Sequence, residues 1–288
     1  MTGREPFKPL LVRWTFGESP NCGLDGQAIS LLKVSVRAAR MLFPEARFVI
    51  CHNNAMKWRE ELSALASESH AEMLDVKPLL PACFTCNSDK NSWWKYAPPR
   101  ILLSGYELVL DNDVILWKRP PVLDEWLNSD ALLGLGVEGD DCRPTLFYGD
   151  YAEQLRAVAP QLDLNAGLIG WPPGYSHILE KRPQLPPASS EYFHTEQGFT
   201  AWLFATFEGP KKLIPYTQVP LLHTMCIPPD ELIQSCYGGH FCECNFGEMQ
   251  YWRDSYEMPV RRFIEEAGER RGRPPAAAAL PCTLADCE

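Results

Sequence analysis

At 288 residues, with 45% apolar and 22% charged residues, the chain is long enough to bury one large α/β core or two small ones. Its 27 Lys and Arg against 37 Asp and Glu leave a formal net charge of −10, which argues against general nucleic-acid or anionic-membrane binding. A small anion held by a metal or a local basic pocket stays open. No apolar run approaches the roughly 18 residues of a spanning helix, and Leu10-Leu11-Val12 is too brief for a secretory core. A soluble, cytoplasmic chain without a transmembrane segment is therefore expected.

Residues 8–16 predict a first strand, followed by a polar loop over 17–26. That loop lacks both G-x-G-x-x-G and the P-loop pattern, so dinucleotide and Walker-type readings fall away. Ala28, Leu31, Leu32, Ala38, Ala39 and Leu42 recur at near-helical spacing and predict a helix over 27–43, stopped by Pro44. A second strand over 46–51 runs into His52-Asn53-Asn54; a second helix covers 56–67 and a short third strand 75–80. This β-α-β-α-β opening implies a parallel sheet with right-handed crossovers, and such sheets bind ligands beyond the carboxyl ends of their strands. Thr15, Phe16 and Asn53 stand at such ends and are candidate binding residues.

The segment 92–104 predicts a helix interrupted or started at Pro98-Pro99, carrying Lys95 and Arg100. Both are ordinary surface charges on the plain reading, but Lys95 can also approach a phosphate near the acidic pair that follows. That pair interrupts the most informative stretch of the chain, Tyr106 to Leu116, where apolar residues run up to Asp111 and resume at Val114. Read as one buried strand, it sends Asp111 and Asp113 to one side and Asn112 to the other. Two carboxylates converging at a buried strand end repel each other and are costly to desolvate, a penalty that a divalent cation removes. The plain alternative is a strand end where Asp and Asn open a turn.

Beyond it, a strand is expected over 130–137 and a helix over 151–158. Asn165 then enters a short apolar strand in which Gly167 lets a ligand or another backbone come close. The Pro-rich segment 181–190 reads as a loop over a site. Thr195 is the expected N-cap of a helix reaching about residue 207, with Glu196 and Gln197 in its exposed first turn; Glu196 there either complements the helix dipole or serves the chemistry. A late strand covers 212–216. His223 reads as structural, whereas His240, set after two glycines, is a candidate third metal ligand. A helix over 247–266, broken or started at Pro259, precedes a tail from residue 268 with no apolar periodicity, expected to be disordered.

Eleven cysteines, an odd number, fit reduced and partly buried thiols better than a disulfide framework. Cys83, Cys86, Cys242 and Cys244 would supply four sulfurs to a structural zinc, although Cys-x-Cys is not the usual knuckle spacing.

In order, the apolar run into Asp111-Asn112-Asp113, the segment Asn165-Ala166-Gly167-Leu168-Ile169-Gly170, the polar helix start Thr195-Glu196-Gln197 and the late His240 resemble the GT-A-fold glycosyltransferases, most closely the glycogenin- and galactosyltransferase-like family 8. The resemblance covers roughly residues 8 to 247. It implies a single α/β, Rossmann-like GT-A-type domain over 8–267 with a mixed, mainly parallel sheet, and a tail over 268–288. It also implies transfer of a sugar from a nucleotide-diphosphate donor, a UDP-sugar by family habit, to an acceptor that the residues do not name. Asp111, Asp113 and His240 would hold Mn²⁺ or Mg²⁺ on the donor diphosphate. Thr15, Phe16, Asn53, Lys95, Asn112, Asn165 and Gly167 would bind the donor, and Glu196 and Gln197 would act at the transferred sugar. The chemistry suits these residue types: a metal held by carboxylates neutralises the leaving diphosphate, and an imidazole ligand favours Mn²⁺.

The family carries Asp-Gln-Asp where this chain has Glu196-Gln197-Gly198, and its late lysine motif is missing after His240. A GT-A-like protein that binds without catalysis is one alternative on that ground. A haloacid-dehalogenase-type phosphatase using Asp111 as nucleophile is another, although its motif normally opens the chain.

Overall fold

The computed structural model describes residues 8–17, 26–53, 56–79, 91–137, 148–160, 162–178, 194–222, 227–242 and 251–272. Nine strands are described: β1 Leu10–Phe16, β2 Arg47–His52, β3 Glu72–Asp75, β4 Tyr106–Leu110, β5 Val114–Leu116, β6 Leu132–Gly136, β7 Leu164–Trp171, β8 Lys211–Ile214 and β9 Gly238–His240. The described helices are α1 Gly26–Leu42, α2 Arg59–Ser69, α3 Pro121–Trp126, α4 Ala152–Val158, α5 His194–Thr206, α6 Pro229–Ser235 and α7 Glu257–Gly272. None of them is long and apolar enough to cross a membrane.

Seven strands form one sheet in the order β3-β2-β1-β4-β7-β6-β8, and β5 pairs with β9 in a separate ribbon. Neighbours in the large sheet are parallel except for β7, which runs antiparallel to both β4 and β6. The result is a mixed, mostly parallel α/β sheet with flanking helices, as the sequence pattern predicts.

The helix α1 buries eleven of its seventeen residues because it is covered on two sides, and leaves Lys33, Arg37 and Arg40 on the remaining face. Ala28, Leu32, Val36 and Ala39 pack against the large sheet, while Leu31, Val34 and Ala38 meet Ile115, Phe241 and Trp252. Ser35 in its middle accepts a hydrogen bond from Trp14 Nε1 at 2.9 Å and donates to the Val114 carbonyl at 2.6 Å, tying helix, sheet and ribbon together.

Several expectations are corrected. Tyr106 to Leu116 is not one strand: β4 ends at Leu110, a turn carries Asn112 and Asp113, and β5 leaves for the other sheet. Asp111 and Asp113 are thus brought together by a turn and not by strand alternation. The third strand lies at Glu72–Asp75, and Lys77–Leu79 is a 3₁₀ turn. Only Asn91–Tyr96 of the segment 92–104 is helical, and as 3₁₀, since Pro98 and Pro99 end it. The helix α5 starts at His194, so Thr195 lies within its first turn instead of capping it, and Glu196 and Gln197 are buried, not exposed. Pro259 lies in the first turn of α7, in line with a proline that starts a segment, and a π-helical turn over Trp252–Tyr256 precedes it. Cys83, Cys86, Cys244, His223, the loop 181–190 and residues from 273 on lie outside the described residues, as does the zinc reading with them. Among the described cysteines, Cys51, Cys236 and Cys242 are reduced.

The segment 91–105 is locked onto the sheet by buried charge. Glu107, fully buried in β4, makes ion pairs with Arg13 at 2.9 Å and Arg100 at 3.2 Å, and accepts the Ile101 and Leu102 amides at 2.9 Å. Arg13 in turn donates to the Pro98 carbonyl at 2.7 Å, and Arg100 to the Tyr175 carbonyl at 2.9 Å. Arg100 is therefore a structural cation of the interior instead of a surface charge. This clamp holds Lys95 and Tyr96 against the carboxyl end of β4.

Candidate active site

Asp111 follows β4, Asp113 precedes β5 and His240 ends β9; the pairing Val114↔His240 carries the imidazole to the carboxylates. One ligand atom from each of the three lies within 4.8 Å of the others. His240 Nε2 is 3.3 Å from Asp113 Oδ1, and both residues are buried. The opposite ring nitrogen, Nδ1, is buried with no hydrogen-bond partner among the described residues. Two carboxylates and an imidazole at this spacing are a fitting donor set for a divalent cation, and the unpartnered nitrogen is the kind of buried group that a ligand would satisfy.

The backbone makes room for this arrangement. Gly167 of β7 accepts the Asp111 amide at 2.8 Å, and its own amide donates to Asn165 Oδ1 at 2.7 Å. The Asn165 side chain is thereby turned back onto β7, beside the cluster.

Lys95 is the hub, and it is buried instead of lying on the surface. Its Nζ lies 2.9 Å from Asp111 Oδ1, 3.0 Å from Glu196 Oε1 and 3.1 Å from the Ala166 carbonyl. Burial alone would pull this ammonium down, but Asp111 and then Glu196 outweigh it and hold it above its ordinary value. Burial pushes the Glu196 carboxyl up, and Asp111 adds to the rise against the pull of Lys95. Even with Glu196 pushed up, the carboxylates of Asp111 and Asp113 outnumber the one ammonium of Lys95, a surplus of negative charge at a partly buried point. That surplus is what a divalent cation would cancel.

Glu196 is held from a second direction by Tyr96, whose hydroxyl is 3.3 Å from Glu196 Oε1 and is also hydrogen-bonded to the Thr200 hydroxyl. Gln197 accepts the Ala166 amide at 3.4 Å through Oε1. Lys95, Asp111, Asp113, Asn165, Gly167, Glu196, Gln197 and His240 thus meet at one place. Asn112 faces helix α1, with Nδ2 donating to the Ala28 carbonyl at 3.3 Å. Thr15 and Asn53 end β1 and β2 farther along the sheet edge, where Asn53 packs beside Gly17 and Trp94. The Phe16 side chain is fully buried in the core under α1, so only its backbone can serve a ligand.

Sequence reasoning misses Tyr96 and Thr200. Thr200 stands four residues after Glu196, on the same helical face, a spacing that could have flagged it. Tyr96 shows no comparable pattern, because its partners lie about 100 residues away.

No protein-family model matches this sequence, and no curated protein matches it. Among solved structures, the chain superposes on the bifunctional glycosyltransferase WbbM with a TM-score of 0.52 at 12% identity, over 91% of this chain and 52% of that one. An active-site mutant of LgtC gives a TM-score of 0.52 at 14% identity over 90% and 95% of the two chains. The glycosyltransferase GlyE of Streptococcus pneumoniae TIGR4 gives 0.52 at 11% over 94% and 66%. The chain thus spans about half the length of WbbM, two thirds of GlyE and nearly all of LgtC. The fold is that of the GT-A glycosyltransferases.

Proposed function

We propose that this chain is a metal-dependent glycosyltransferase that moves a sugar from a nucleotide-diphosphate donor, UDP by its resemblance to family 8, with residues 8–267 as the transferase domain. The observation that carries the reading is the convergence of Asp111, Asp113 and His240 within 4.8 Å at the carboxyl end of β4, in a fold shared with glycosyltransferases. Asp111, Asp113 and His240 would hold Mn²⁺ or Mg²⁺; when bound, that ion supplies charge to stabilise the departing diphosphate.

The remaining roles belong to the chain itself. Lys95 places a buried positive charge beside the metal ligands, within reach of a donor phosphate. Asn165, Gly167 and Gln197 form the wall against which the transferred sugar rests, and the absent side chain of Gly167 leaves the His240 imidazole its place beside that wall. Glu196, fixed by Lys95 and Tyr96, presents a carboxylate to the sugar or the acceptor hydroxyl. Thr15 and Asn53, with the Phe16 backbone, line the nucleoside end of the crevice. The acceptor is a carbohydrate, lipid or protein hydroxyl.

Thermal stabilisation by a panel of nucleotide sugars, with and without Mn²⁺, tests this reading, since a ligand that binds only the folded state raises the melting temperature. One or more UDP-sugars should stabilise the wild type in a Mn²⁺-dependent way, and Asp113→Asn should abolish the effect with little change in basal stability. Unaltered UDP–Mn²⁺ affinity in that variant would overturn the proposal.

A further inference from the structure

At the far end of β7 from the metal cluster lies a cavity of about 500 Å³, lined in part by Asp130, Tyr175, Ser176, His177, Phe207 and Glu208. The pairing Glu107↔Trp171 places it at the start of β4, whereas Asp111 follows the end of that strand. From Gly167 to Pro172 the strand covers roughly 16 Å at about 3.3 Å per residue. Helix α5 spans a similar distance, about 15 Å from Glu196 to Thr206 at about 1.5 Å per residue. One helix therefore begins at the candidate active site and ends at this second cavity.

Its lining is chemically specific. No Lys or Arg is among the described lining residues, which disfavours phosphate and carboxylate ligands. Exposed Glu208 offers a carboxylate acceptor and Ser176 a hydroxyl, while the Asp130 carboxylate is paired with Lys8 Nζ at 3.5 Å. The aromatic wall is built in layers: Tyr175 stacks on Trp171 at 5.0 Å, Phe207 meets Tyr175 edge-on at 5.3 Å, and His177 lies 5.9 Å from Phe207. Thr206 commits its proton to the Trp202 carbonyl at 2.8 Å, so His177 Nε2 donates to Thr206 Oγ1 at 2.9 Å and the imidazole is oriented. Gly209, itself in the lining, leaves the Phe207 ring its place, for a Cβ there would meet that ring at 2.4 Å. At the mouth, Gly174 turns with φ +75° and has open space where a side chain would stand.

A carboxylate and a hydroxyl beside an aromatic surface suit a ligand with an apolar C–H face and hydroxyls at its edge. We propose that this cavity is a carbohydrate-binding site for a neutral sugar, separate from the metal crevice. An organic cation would use the same ring and carboxylate, and its displacement of a bound glycan is the outcome that decides against a sugar. The proposal stands beside the transferase reading and does not depend on it; an extended glycan acceptor would be able to use both sites.

The test is binding of the full chain to an array of neutral, amino and acidic oligosaccharides in EDTA, so that the metal crevice is out of play. The expected result is retention on neutral oligosaccharides, with affinity lowered about tenfold by Phe207→Ala or by Gly209→Ala, the loss of one ring–sugar contact, and unchanged in Asp113→Asn. Gly209→Ala keeps the aromatic ring and only displaces it, so a loss in both variants with unchanged melting temperature is a loss of the platform. Failure to retain any neutral glycan, retention that Asp113→Asn removes and Phe207→Ala spares, or displacement of the glycan by spermidine would each overturn the proposal.

Discussion

A Cβ on Gly167 would lie 2.5 Å from Cε1 and 2.9 Å from Nδ1 of His240, so the bare backbone of β7 decides where the imidazole can sit. Contacts this short force something to move, and here the mover is a candidate metal ligand. Gly167→Ala should fold, because Gly167 does not have a positive φ even though the β6 pairing is irregular here, but it should displace the ring. Mn²⁺ affinity is expected to fall about 10- to 100-fold, as when a supporting residue of a metal site is lost. Titration calorimetry with Mn²⁺ checks this, and wild-type affinity in the variant would show that His240 does not ligate.

Lys95 and a bound divalent cation would compete for the same carboxylate. With Nζ within 3.0 Å of both Asp111 oxygens, Lys95 is the counter-ion of the metal-free state. Replacing it by methionine leaves the Asp111 and Glu196 carboxylates without their shared cation, at a cost on the order of 3 kcal/mol. Mn²⁺ should then raise the melting temperature of Lys95→Met by more than that of the wild type. Equal or smaller shifts by differential scanning fluorimetry would contradict this account of the charge.

Tyr96→Phe removes one hydroxyl and keeps the ring, which packs on Phe199 at 5.0 Å. Glu196 and Thr200 each lose a hydrogen bond in the interior, so stability should drop by roughly 1–2 kcal/mol. Mn²⁺ affinity should be unchanged, since the hydroxyl that is lost bonds to Glu196 and Thr200, neither of them a candidate ligand. Once a donor is identified, kcat should fall with KM nearly constant, the mark of a residue that positions Glu196 without holding substrate.

Glu107→Leu tests the clamp that carries Lys95. The variant strands the Arg13 and Arg100 guanidinium groups beneath the sheet, and losing one partner of a buried ion pair costs about 3–5 kcal/mol. Urea denaturation should show this loss with or without Mn²⁺, because the triad is separate from the metal cluster. A variant as stable as the wild type would mean that the carbonyls of Pro98, Pro99, Pro172 and Tyr175 satisfy both arginines unaided.

Local pattern carries some of this molecule and not the rest. The alternating strands and helices up to Asp75 are legible because apolar periodicity is a property of neighbours. Asp111 and Asp113 are legible because two acids interrupting an apolar run are anomalous wherever they occur. Strand alternation is not what makes them converge, since hydrophobic continuity across residues 106–116 conceals that β4 and β5 are both apolar yet bury in different sheets. Arg13 inside one buried strand and Glu107 inside another carry no such mark, as each is ordinary until its partner is known.

The sequence by itself determined the α/β class and marked Asp111, Asp113, Gly167 and His240 as candidates, from apolar periodicity and short-range spacing. Only the tertiary structure decided that Lys95 stands between Asp111 and Glu196, that Glu196 is buried, and that aromatic and acidic residues from three separate segments close a second cavity. The physical reason is that burial and charge pairing depend on which segments the crossovers bring together, and Lys95 and Glu196 meet across about 100 residues that carry no local sign of it.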